Sequence, residues 1–309
     1  MSGISTSVPV VVTPNVLATS MISNLTADQS ALAKIENQVA TGRAVNLPSD
    51  NPAQAANILQ LQSGVTRANQ YATNAQDGLS WLSLASSTVG SALDVLNQVE
   101  SAVQSITGDQ TSGNASAVAG LTNVVTGAIH QLRNLANTQY AGQAIFSGTG
   151  TPAQAYNSTG TYVGGANPPT RTVAPGARVA VSVTGPSIFG SGPTGLLGAT
   201  GVLSRILTDL KTGTTASLQK AATTELGNLQ SAMASVRSKA GQLGADQQAM
   251  QGFANQATAS ATALQQELGN AQDVNLAQAL TNLQMQQTSY QAALYITSQL
   301  KTDSLVNYL

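Results

Sequence analysis

The stretch Ala222 to Leu268, ATTELGNLQSAMASVRSKAGQLGADQQAMQGFANQATASATALQQEL, decides the fold. Alternating steps of three and four visit Ala222, Leu226, Leu229, Met233, Val236, Ala240, Leu243, Gln247, Met250, Ala254, Ala257, Ala261, Leu264 and Leu268, and thirteen of these fourteen are apolar. That spacing stacks the side chains along one helical face. It predicts a helix of at least the 47 residues quoted, roughly 70 Å long at 1.5 Å per residue. Glycines 227, 241, 244 and 252 fall off the stripe. Each weakens the helix by about 1 kcal/mol and is expected to let a neighbour approach closely.

Working outward, the same spacing recurs in Leu79, Leu82, Val89, Leu93, Leu96 and Val103, with polar residues at Ser86 and Glu100, and again in Val118, Leu121, Val125, Ala128, Leu132 and Leu135. The Gly-, Ser- and Thr-rich segment from Thr107 to Asn114 between them predicts an antiparallel hairpin that can cover the long stripe. Met21, Leu25, Asp28, Leu32, Ile35 and Val39 mark an earlier helix, ended by Gly42 and a turn containing Pro48 and Pro52. Gly42 stops the helix, and Ser49 or Asp50 is expected to cap the next one near Pro52. A last helix is expected from about Val274, with Asp273 as its N-cap, through Leu276, Leu280, Leu283, Tyr290 and Leu294.

The middle is different. Between Gly142 and Gly201 lie 13 of the 28 glycines, and Pro152 to Pro193 hold 6 of the 10 prolines. Val179, Val181 and Val183 alternate with small residues as strands do. The expected fold is therefore mainly α: an elongated, coiled-coil-like helical bundle built from both chain ends, with a small inserted β-rich domain. Residues 1–45 and 272–309 are read as terminal helices, 46–147 and 202–271 as the bundle, and 148–201 as the insert.

Composition excludes several kinds of function. Only 8% of residues are charged and 4% aromatic, so there is little material for a thick globular core but enough for thin helical layers. The net charge of −1 and the absence of any Lys/Arg cluster leave no attraction for a polyanion, so no nucleic acid is expected as a partner. Without cysteine there is no disulfide or thiolate metal site. The first charged residue is Asp28, so the basic start of a general secretory signal is missing. Val274 to Leu300 carries no charge, but six glutamines make it too polar to span a bilayer, and no membrane insertion is expected.

Catalytic candidates are few. His130, the one histidine, sits a step off its helix stripe with no second ligand or base beside it. Asp246 and Glu267 are about 30 Å apart along one helix and form no carboxylate pair. Gly190 to Gly201 lacks the Lys-Ser/Thr of a phosphate loop and reads as turns. No catalytic residue, metal ligand or cofactor is assigned, and the chain is read as a non-enzyme. The terminal segments carry the sharper signal: residues 1–27 and 274–300 lack the charged outer face that keeps a surface helix soluble. Such helices are at home inside a multi-subunit assembly.

The turn Thr41-Gly42-Arg43-Ala44-Val45-Asn46-Leu47-Pro48-Ser49-Asp50-Asn51-Pro52 resembles the flagellin superfamily. So do Leu135-Ala136-Asn137-Thr138 with Gly142-Gln143-Ala144-Ile145-Phe146-Ser147-Gly148-Thr149, and Asp273-Val274-Asn275-Leu276 with Tyr290-Gln291-Ala292-Ala293-Leu294 and Ser304-Leu305-Val306-Asn307-Tyr308-Leu309. Pro48 and Pro52 and the Tyr308-Leu309 ending are closer to the hook-filament junction branch than to flagellin itself, which is the alternative. A type III secreted membrane translocator is the remote one. The resemblance implies export without a cleaved signal by the flagellar type III apparatus, with a chaperone. It implies an extracellular place in the flagellum, as a ring of copies between another hook-associated protein and flagellin. Thr41, Gly42, Arg43, Asn46, Pro48, Ser49, Asp50 and Pro52 are the family turn. Leu25, Leu32, Val39, Leu280, Leu283, Leu294 and Leu305 are the expected assembly contacts.

Overall fold

The computed structural model describes residues 14–107, 114–150 and 153–306. Its helices are α1 (Pro14–Thr41), α2 (Pro52–Gln104), α3 (Ala115–Ala136), α4 (Gly185–Phe189), α5 (Val202–Thr212), α6 (Thr215–Lys220), α7 (Leu226–Gln272) and α8 (Leu276–Val306). Four short strands, β1 (Gln139–Tyr140), β2 (Gln143–Ala144), β3 (Thr170–Ala174) and β4 (Ala177–Ala180), lie between α3 and α4. The chain divides into two compact units, one of residues 1–65 and 262–309, the other of residues 66–261. The division falls inside α2 and α7.

In the second unit the heptad reading accounts for the core. The twelve stripe positions from Ala222 to Ala261 lie in this unit and every one is buried or half-buried, Gln247 included, while Leu264 and Leu268, in the first unit, are half-buried. The same holds for the stripe on α2 from Leu79 to Val103 and the one on α3 from Val118 to Leu135. Leu82, Leu96, Leu132, Leu229 and Met233 belong to one continuous apolar cluster. Gln230 on α7 donates to Glu100 on α2 at 2.8 Å, and Arg237 lies 3.4 Å from Asn97. Met250 lies against Gly78. Partners that rise along α7 as they fall along α2 define an antiparallel pair, which is why a polar Glu100 on the α2 stripe is tolerated: it has a hydrogen-bonding neighbour. The Thr107–Asn114 hairpin turn is outside the described residues except at its ends. Asn114 caps α3 by accepting from the Ser116 and Ala117 amides.

Two expectations are corrected here. The off-stripe glycines 227, 241, 244 and 252 do not admit a neighbour, since nothing would lie within 4 Å of a Cβ at any of them. The close approach is at Gly78, where a Cβ would stand 2.6 Å from Met250 Cε and 3.1 Å from Val181 Cγ1. Gly78→Val overpacks that point, and we expect it to lower unfolding stability by about 2 kcal/mol in urea titration.

The start of the long helix also departs from the expected regular α-helix. Ala221–Glu225 is a π-helical turn between α6 and α7. Its extra residue turns Ala221, Ala222 and Glu225 inward together. Glu225, only 3% exposed, is held by Arg205 of α5, whose Nη2 lies 2.7 Å from Oε2, and by Asn228 at 3.1 Å. Arg205 also donates to the Pro193 and Thr200 carbonyls, so one guanidinium ties the Gly-rich loop to the π turn. Burial pushes the Glu225 carboxyl up, but the hydrogen bonds from Arg205 and Asn228, with the charges of Arg205 and Lys220, outweigh it and hold the carboxyl below the usual carboxylate range.

The β region consists of two antiparallel pairs, β1 with β2 and β3 with β4. Val179 lies in β4, whereas Val181 and Val183 follow the strand yet stay buried, so their alternation marks an inward face more than an extended ladder. Phe146, Tyr156 and Phe189 pack edge-to-face at 5.5–5.9 Å and form the small core of this region. It rests on α2: Arg171 of β3 pairs with Asp77 at 2.7 Å and lies over the Trp81 ring, and Asn74 donates to the Thr172 carbonyl at 2.9 Å.

The first unit is built otherwise. α1 and α8 pack together and run antiparallel, with Gln286 donating to Asp28 at 3.1 Å and Arg43 bridging Asp273. Ile58 and Ala279 are its buried apolar residues among those described.

Candidate functional site

The described residues hold no group of three or more potential metal-ligating His, Cys, Asp or Glu side chains. His130 is exposed, its Nδ1 3.0 Å from the Arg133 guanidinium, which also donates to the Ser158 carbonyl. Asp246 and Glu267 stay on one helix, Asp246 with its carboxyl pushed up by burial. Among the described residues no helix is long and apolar enough to cross a membrane. The features that remain to be explained lie on the first unit.

The turn between α1 and α2 is a closed hydrogen-bonded device. Gly42, at φ +70°, ends α1 in the left-handed conformation, its amide donating to the Gln38 carbonyl at 2.9 Å. Thr41 Oγ1 lies 2.8 Å from Asn46 Oδ1. Asp50 folds back to accept from the Asn46 and Leu47 amides, and Lys34 lies 3.5 Å away. The Leu47 amide, helped by Asn46 and Lys34 and opposed by partial burial, holds the Asp50 carboxyl below the usual carboxylate range. Neither Ser49 nor Asp50 caps α2, contrary to expectation. Asn51 does, accepting from the Gln54 amide at 3.1 Å, with Pro52 as the first helical residue. Asp50 is withdrawn because two backbone amides of its own turn compete for it.

The same turn meets the break between α7 and α8. Ala44 donates to the Gln272 carbonyl at 2.8 Å and Val274 to the Gly42 carbonyl at 2.9 Å, around the Arg43–Asp273 bridge. Gln54 donates to the Ala271 carbonyl at 2.7 Å. Asp273 therefore serves the bridge and does not cap α8. Asn275 is the cap, accepting from the Gln278 amide at 3.2 Å. The sequence Asp-Val-Asn offered two good capping residues, and only the bridge to a segment some 230 positions earlier selects between them.

The seven expected contact residues separate into two sets. Leu25, Leu32, Val39 and Leu283 are half-buried. Leu280 and Leu294 are 47% and 42% exposed, and the Leu305 side chain lies outside the described residues. Met285, Tyr295 and Ile296 on α8 and Ile22 on α1 are more exposed still, at 51–65%, and were not singled out because they fall off the heptad steps. Among the described residues, the large apolar side chains left most open belong to the first unit, with Val163 the exception. α1 and α8 thus cover one face of each other and leave further apolar surface free, while the second unit holds almost all of the buried core.

These observations define a helical-bundle protein whose paired terminal helices carry uncovered apolar side chains. It belongs to the bacterial flagellin family: residues 12–151 match the flagellin N-terminal helical region and residues 226–309 the flagellin C-terminal helical region, together more than two thirds of the chain. Over 178 residues it is 32% identical to flagellar hook-associated protein 3 of Salmonella typhimurium, covering 55% of this chain and 54% of that protein. The matched stretch is thus about half the length of that relative. A flagellar hook-associated protein from Vibrio parahaemolyticus has the same fold, with a TM-score of 0.63 at 20% identity over 72% of this chain and 100% of that one. FlgL from Bacillus cereus follows with 0.51 at 19% identity, over 68% and 99%.

Proposed function

We propose that this chain is a structural subunit of the bacterial flagellum that joins hook to filament. The observation that carries the reading is the uncovered apolar surface of α1 and α8 beside a second unit whose core is complete. Exposed Leu280, Leu294 and Ile296 are disfavoured in water and become favourable when neighbouring copies cover them. Leu25, Leu32, Val39, Leu280, Leu283, Leu294 and Leu305 are the contacts of that assembly, and Thr41, Gly42, Arg43, Asn46, Pro48, Ser49, Asp50 and Pro52 form its supporting turn. The similarity to hook-associated protein 3 supports the junction position specifically. On this reading the chain leaves the cell by the flagellar type III apparatus with a chaperone. It forms a ring of its own copies, contacts another hook-associated protein on one side and flagellin on the other, and catalyses nothing.

Deleting the gene and examining cells and culture supernatant by electron microscopy tests the assignment. Hooks without filaments, with flagellin shed as monomer, are the expected result. Filaments that persist with altered number or thickness would make the chain a flagellin instead.

A further inference from the structure

Residues 135–138 and 145–149 lie where α3 gives way to the β region, and their polar groups are turned toward it. The Asn137 amide grips the backbone of Tyr156 twice, donating from Nδ2 to its carbonyl at 2.8 Å and accepting from its N–H at 2.8 Å. The Ile145 carbonyl accepts from the Ser182 hydroxyl at 2.6 Å, the Phe146 carbonyl from the Gly185 amide at 2.9 Å and the Ser147 carbonyl from the Gly165 amide at 2.7 Å. Thr149 donates to the Asn167 carbonyl at 2.8 Å. Gly148, at φ +68°, permits this approach, since a Cβ there would collide with the Gly165 carbonyl oxygen. The loops at 162–167 and 182–185 thus hang on residues 145–149. The far side is tied as well: β3 meets α2 at Asp77 and Asn74, and Arg205 joins the Pro193 and Thr200 carbonyls to Glu225. Beneath these ties the apolar cluster is undivided, with Leu82, Ala136 and Met250 of the bundle and Tyr156, Val173 and Val181 of the insert all members of it. Domain boundaries fall where few contacts cross, and a segment of roughly 50 residues has little core of its own.

We infer that the insert is no separately folding domain but is mounted rigidly on the bundle, so that residues 66–261 open as one cooperative body, with Asn137 as its positioning residue. Lifting the insert away exposes Trp81, Val181 and Met250, which are at most 3% exposed, and breaks the ion pair at Asp77. Such an opening gains only the freedom of the insert's own chain, while it removes contacts that stabilise the bundle too. On the assembly reading above, a neighbouring copy then meets the insert at a fixed place on the bundle. The mounting itself does not depend on that reading.

The test is native-state hydrogen exchange of the full-length chain in increasing low concentrations of urea, read by mass spectrometry. Peptides carrying the hydrogen-bonded Gly165 and Gly185 amides report the insert, and peptides covering 229–236 of α7 report the bundle. We expect both sets to merge into a single opening with one urea slope. Asn137→Ala, which removes both bonds to Tyr156, should speed exchange through that opening by about tenfold or more, and by the same factor in both sets. An insert that opens separately, at lower urea and with a shallower slope, overturns the inference. So does an Asn137→Ala effect confined to one set. If Asn137→Ala does not fold, the urea slopes of the unsubstituted chain decide alone. The assembly reading fails separately, if the subunit proves dispensable for filaments while the exchange result stands.

Discussion

Leu294→Asp is expected to abolish incorporation into the flagellum while leaving the isolated chain folded. Leu294 is 42% exposed in the free subunit, so an aspartate there loses few contacts and remains hydrated. Its effect on the monomer should be within about 0.5 kcal/mol, as for ordinary surface changes. Covered by a neighbouring copy, the same carboxylate has no partner, because residues 274–300 of that neighbour carry no charge. Burial of an unpaired charge costs several kcal/mol per contact, and every repeat of the contact between copies adds to that cost. Circular dichroism melts of the purified variant should match the parent, and complemented cells should show hooks that lack filaments. A motile strain with normal filaments would count against Leu294 as an assembly contact.

Glu225→Ala should give the largest loss of stability. Arg205, and at longer range Lys220 at 3.9 Å, are left beside a buried gap, and removing one partner of a buried pair costs about 3 kcal/mol or more. For a unit of 196 residues, 66–261, that corresponds to a fall in Tm of roughly 10 °C. The pH dependence follows from the same network. The Glu225 carboxyl titrates lower in the folded chain than in the unfolded one, so its contribution is fully present above the ordinary glutamate value of about 4.3. It is lost as the pH falls through the lower folded value. Tm measured by Trp81 fluorescence should therefore drop on acidification below pH 4.3 in the parent and less steeply in Glu225→Gln. Equal acid sensitivity of the two proteins would assign the loss to other carboxylates.

Much of the fold was legible because helical packing leaves a periodic trace. A residue repeating at three and four faces one way whatever it touches, so the stripes on α2, α3 and α7 could be read before any partner was known. The uncharged termini were equally plain, since a missing charged face is a property of composition. Choices between near-equal local options were not legible. Ser49, Asp50 and Asn51 are all good caps, as are Asp273 and Asn275, and their roles were fixed by hydrogen bonds that exist only when residues 42–44 meet 272–274. The π turn was hidden for a similar reason. Glu225 is the polar member of the inward-facing set with Ala221 and Ala222, and its partner Arg205 is 20 residues away in another helix.

By itself, then, the sequence determined that this protein is a set of long helices with a Gly- and Pro-rich insert and with terminal segments, 1–27 and 274–300, that carry no charge. These follow from side-chain polarity and helical geometry, which act over a few neighbouring turns. Only the tertiary structure decided where apolar surface stays open and how the two ends are joined. Exposure at Leu280, Leu294 and Ile296 depends on how much of α8 a single α1 can cover, and the ladder at Arg43 and Asp273 pairs backbone groups that every residue carries. Backbone amides and carbonyls leave no mark in composition, so their long-range pairing is visible only once the chain has brought them together.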